Sequence, residues 1–86
     1  MKLIITIIPD TECDSVSLAL TNKKFRVTQI ASTGGFLRKG NATLLVGVED
    51  EQLNEALDLI SGTVQHSNSA QKGVAFVIKV DKFIHF

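Results

Sequence analysis

Residues 25–48 read FRVTQIASTGGFLRKGNATLLVGV. Two β-type runs flank a turn bracketed by glycines. In the first, Phe25, Val27 and Gln29 alternate with Arg26, Thr28 and Ile30, which predicts a strand whose second face starts polar. Gly34-Gly35 ends it, and Gly40-Asn41 restarts the chain. ATLLVGVE is the next strand, with Gly47 inside it. A glycine in a strand weakens it and often marks close approach by a ligand or another backbone. The two strands form a central β-β unit, and what lies on either side decides the fold.

Upstream, KLIITII (2–8) is β-branched and too short for a helix, so it reads as a strand. Its apolar residues fall on both faces, which suits a strand buried on both sides or one with a face against a partner. Pro9-Asp10 breaks it and opens a helix, with Asp10 or Thr11 as the expected cap. Cys13, Val16 and Leu20 give a narrow helical stripe. That helix should end near Asn22-Lys23, where lysines complement the dipole. Downstream, Glu49-Asp50-Glu51 is an acid-rich helix start. Leu53, Ala56, Leu57 and Ile60 recur at i, i+3, i+4 and i+7, and Gly62 should close this second helix. TVQHSNSAQKG (63–73) reads as a polar loop, VAFVIKVD (74–81) as the last strand and KFIHF as a short aromatic tail. The order is β-α-β-β-α-β. It predicts an α+β, ferredoxin-like domain spanning residues 1–86, with two helices on one face of a four-stranded antiparallel sheet.

Composition bounds the function. The chain has 86 residues, 44% hydrophobic and 21% charged, with zero formal net charge. So small a domain buries a modest share of its surface, and this apolar content predicts contact with another subunit. Neutral charge gives no argument for nucleic acid. No run approaches the ~18 to 20 apolar residues of a membrane span, so no membrane partner is expected. MKLIITIIPD lacks a small-residue cleavage site and reads as a strand, not a signal peptide. The one cysteine, Cys13, excludes an internal disulfide and fits a reducing, cytoplasmic setting.

Charge is unevenly placed. No acid lies between Ser15 and Val48, yet Lys23, Lys24, Arg26, Arg38 and Lys39 do. Elsewhere the candidate chemistry reads as structural. His66 and His85 have no carboxylate or cysteine at metal-ligand spacing, so no metal is expected. Cys13 on an apolar stripe reads as a small buried hydrophobe. Glu49, Asp50 and Glu51 read as dipole stabilisers at a helix start, not as paired catalytic acids. Asp81 follows the last strand with no partner in view. GGFLRKG opens no helix and carries no Gly-Lys-Ser/Thr, so it is neither a dinucleotide fingerprint nor a P-loop. No catalytic residue and no cofactor are expected.

The window 25–47 remains. Arg26 and Thr28 share one strand face and can reach the same ligand group, a phosphate by preference. Phe36 can stack on a planar base, which contributes about 1 to 3 kcal/mol per base in nucleic-acid complexes. Asn41 offers a donor and an acceptor side by side, as an adenine edge requires. Backbone amides around Gly34, Gly35 and Leu37 add polar contacts. Together these residues favour a phosphorylated nucleobase ligand.

ASTGGFLRKGNATLLVGVED (31–50) strongly resembles the cyclic di-AMP receptor family of PII-like signalling proteins found in Gram-positive bacteria. The resemblance extends to MKLIITI, KKFRVTQIASTGGFLRKGN, TLLVGVEDEQLNEALDLI and VAFVIKVDKFIHF. It implies a non-catalytic homotrimer of ferredoxin-like subunits that binds cyclic di-AMP in the three clefts between subunits. The implied ligand contacts are Arg26, Thr28, Gly35, Phe36, Leu37, Asn41 and Gly47. One departure is the segment TVQHSNSAQKG, which is shorter than the family's usual ligand-responsive loop and puts signalling through that loop in question. The downstream protein target is not readable from the residues. Two other readings fit the same sequence: a PII-type sensor of ATP or ADP, and a protein-interaction module whose basic window meets an acidic partner.

Overall fold

The computed structural model describes residues 1–30, 40–64 and 73–86. Strand β1 (Lys2–Pro9) leads into helix α1 (Asp10–Asn22), strand β2 (Arg26–Ile30) and strand β3 (Asn41–Val48). A 3-10 turn (Asp50–Gln52), helix α2 (Leu53–Val64) and strand β4 (Val74–Lys79) follow. The sheet runs β2-β3-β1-β4, with every neighbouring pair antiparallel. This is the ferredoxin-like arrangement.

Register decides which residues meet the helices. Ile4 lies opposite Val46, Thr6 opposite Leu44 and Ile8 opposite Ala42, so these six share a face. All six are buried, with Val16 and Leu20 of α1 and Ala56, Ile60 and Val64 of α2 in the same core. Thr6 is tolerated there because its hydroxyl donates to the Val74 carbonyl at 2.9 Å.

The helix ends differ from the sequence-based expectation. Neither Asp10 nor Thr11 caps α1. Pro9 is the N-cap and makes no side-chain cap bond, and Asp10 is already helical. Strand pairing persists to Pro9, opposite Asn41, and the Asp10 N–H donates to the Gly40 carbonyl at 2.7 Å. That bond meets one of the orphan donors a cap side chain would have served. Gly40 accepts it at φ +95°, a backbone conformation that favours glycine. No basic residue lies in the last turn of α1. Lys23 and Lys24 sit just beyond it, with Lys24 at φ 68°. The Lys24 N–H donates to Thr21 and the Phe25 N–H to Leu20, at 2.9 and 3.0 Å. This left-handed cap buries Phe25 with Leu20 and sets where β2 begins.

Gly62 does not close α2. The helix continues to Val64, because Ile60 and Val64 extend one apolar stripe and Gly62 lies exposed on the other side. The acid-rich start is a capping box. The Glu49 side chain accepts from the Gln52 backbone, and the Glu49 N–H donates to Gln52 Oε1 at 3.2 Å. Among the described residues, no helix is long and apolar enough to cross a membrane.

Candidate functional site

The face of the sheet away from the helices carries the residues of interest. Pairing puts Arg26 opposite Gly47, and Thr28 opposite Leu45, which is itself opposite Ile5. Arg26 and Thr28 therefore project from one edge of this open face, two residues apart. With Gly47 they line a groove of about 630 Å³. Gly47 forms part of its floor. A Cβ there would meet only the Met1 methyl, at 3.4 Å, so glycine keeps the floor low without being forced by backbone strain.

Topology explains why a groove forms here. The starts of β1 and β2 and the ends of β3 and β4 all reach one end of the sheet. The Val80 N–H donates to the Met1 carbonyl at 3.1 Å, which ties the chain after β4 beside β1. The tail beyond it then reaches the groove with Phe83 and His85, whose rings stack with centroids 6.5 Å apart and planes 11° from parallel. The Met1 ammonium is held 3.1 Å from Asp50, and that contact lowers the Asp50 carboxyl below its ordinary range.

The electrostatics suit an anion. Lys2 and Arg26 line the groove together with His85, and no described carboxylate does. Leu3, Leu45, Val80 and Phe83 supply apolar wall. A flat ring against such a wall and an acidic group toward Arg26 would both be accommodated.

The remaining predicted residues are distributed differently. Asn41 is half-buried and lies on the same face of β3 as Gly47, but six residues away. At ~3.3 Å per residue that is about 20 Å, the opposite end of the sheet. Gly35, Phe36 and Leu37 lie outside the described residues, as do Gly34, Arg38 and Lys39. Lys2, Phe83 and His85 were missed by the sequence reading, which left KFIHF as a tail. A signal for them existed: antiparallel pairing of the last strand with the first carries the following residues to the start of β1.

Residues 1–84 match the cyclic-di-AMP receptor family. The chain belongs to that family. A crystal structure of a functionally unknown protein from Pediococcus pentosaceus is similar, with a TM-score of 0.81 and 28% identity. The match covers 99% of this chain and 96% of that one.

Cys13 is a buried free thiol on α1. Burial foremost, with Asp14 and Asp10 nearby, pushes its pKa up, which disfavours the nucleophilic thiolate. No group of three or more His, Cys, Asp or Glu among the described residues is placed to hold a metal ion.

Proposed function

We propose that this protein is a non-catalytic, cytoplasmic signalling protein that binds cyclic di-AMP in clefts between the subunits of a PII-like homotrimer. The observation that carries the reading is the separation of Arg26, Thr28 and Gly47 from Asn41 along one sheet face. At ~3.3 Å per residue, Gly47 and its partner Arg26 lie about 20 Å along the strands from Asn41, and Thr28, opposite Leu45, about 13 Å, more than one mononucleotide bridges. Two neighbouring subunits remove the difficulty: Arg26 and Thr28 of one meet the phosphate, while Asn41 of the next reads the adenine edge. Phe36 stacks on that adenine, and Gly35 and Leu37 contribute backbone contacts, as the family resemblance implies.

The open face supplies the means of assembly. Leu3, Ile5, Ile7, Leu45, Phe76 and Ile78 share it by register, and Phe76 and Ile78 are 55% and 46% exposed. Fully burying one such side chain contributes about 1.5 to 3 kcal/mol. Isothermal titration with cyclic di-AMP, ATP and ADP, alongside light scattering, tests the whole reading. A trimeric mass and one cyclic di-AMP per subunit are expected. Tighter binding of ATP or ADP would favour the PII-type sensor instead. A stable monomer that binds no nucleotide would leave the protein-interaction reading.

A further inference from the structure

We propose that His85 contacts the ligand in the groove at the start of β1 and β2, and that its protonation sets how tightly an anion is held there. The inference rests on the reading of that groove as the cyclic di-AMP site.

His85 is exposed, stands in the groove with Arg26 and Thr28, and is steadied by its stack on Phe83. Its charged surroundings can be named element by element. β1 contributes Lys2 and β2 contributes Arg26, while β3 contributes only the uncharged Leu45 and Gly47. The Met1 ammonium is engaged by Asp50. β4 ends in Lys79, and Asp81 and Lys82 precede the histidine along the tail. No described carboxylate lines the groove with it. An anionic ligand therefore brings the countercharge that an imidazolium needs.

Histidine side chains ordinarily change charge between pH 5 and 8. A phosphodiester stays ionised throughout that interval, so its arrival favours the protonated ring. Protonation turns both ring nitrogens into donors. The liganded state then binds more protons than the free state, and affinity rises as pH falls through this range. By contrast, Arg26 stays charged throughout and adds attraction without pH dependence.

The test is calorimetric titration of the full chain with cyclic di-AMP at pH 8 and pH 5.5, for the parent and His85→Gln. The parent is expected to bind roughly two- to fivefold more tightly at the lower pH, the range of one exposed ion pair. It should also take up protons, read from buffers of different ionisation enthalpy. His85→Gln keeps a hydrogen-bonding side chain but cannot titrate, so its affinity should be flat and its melting temperature unchanged. Equal pH slopes in the two proteins, or no proton uptake by the parent, would overturn the role of His85 and leave the receptor reading standing. No binding by the parent at either pH would overturn both.

Discussion

In the central strands, the two faces of the sheet are built from the same kind of residue and end in different conditions. On the helix side Ile4, Leu44 and Val46 are fully buried. On the other side Ile5 and Leu45 are only partly covered, and Val74, Phe76 and Ile78 are about half exposed. Alternation in a strand gives each face its own set of side chains, but the chain has only two helices, and both lie on one side. The second apolar face is left without a helix of this chain over it. Of the polar residues on it, Arg26 and Thr28 lie at one end, where the groove is, and Asn41 at the other. One face thus maintains the fold, and the other is the one the proposed reading uses for assembly and recognition.

Mutations can break this contrast in order of size. Leu44→Ala on the closed face should cost about 2 to 5 kcal/mol, the range for a truncated buried leucine. Chemical denaturation reads it, and a loss below ~1 kcal/mol would mean that the closed face is not the core. Gly73→Ala should follow at roughly 2 to 3 kcal/mol. Gly73 has φ +108°, and an added Cβ would stand 2.5 Å from the Ile7 carbonyl oxygen, in backbone that cannot yield cheaply. A melting temperature equal to the parent's would contradict that crowding.

The open face should answer differently. Arg26→Ala is expected to leave the melt nearly unchanged and weaken cyclic di-AMP by roughly ten- to a hundredfold, about 1.5 to 3 kcal/mol for a hydrogen bond to a charged group. Lys23→Ala, at the α1 cap outside the groove, should lose much less. Equal losses would mean that only general positive charge matters. Phe76→Asp should change the mass in light scattering from trimer to monomer while circular dichroism keeps the parent's secondary structure. A trimer that persists would place the interface elsewhere.

The smallest effect concerns the tether at the groove's edge. The Met1 ammonium holds the Asp50 carboxyl below its ordinary value, so its contribution is present above the unfolded-state pKa, ~3.9, and is lost as pH falls through the lower folded value. Asp50→Asn should lower the melting temperature slightly at pH 7. The gap from the parent should close in strong acid. A gap that is constant with pH would assign the effect to something other than this ion pair.

Much of the architecture was legible in the residues alone. The short β-branched run at 2–8, the alternation at 25–30, the apolar run at 42–49 and the 3.6-residue stripe from Leu53 to Ile60 leave few alternatives to β-α-β-β-α-β. The helix ends were less legible. Asp10 resembles a cap by type, yet its backbone donor is met by Gly40, a residue thirty positions away that no local pattern reveals. Gly62 resembles a stop, yet Val64 has core to bury and draws the helix onward.

The candidate site divides in the same way. Sequence by itself determined that Arg26 and Thr28 share a face, because strand alternation is a local property of the backbone. It also marked Gly47 and Asn41 by their chemistry. Only the tertiary structure decided that Arg26 faces Gly47, that Asn41 lies at the far end of the same strand, and that Phe83 and His85 reach the groove. Those facts depend on strand order and register, which are set by burying Ile4, Leu44 and Val46 together beneath the helices. Packing of distant segments, not any short-range preference, brings those residues into one place.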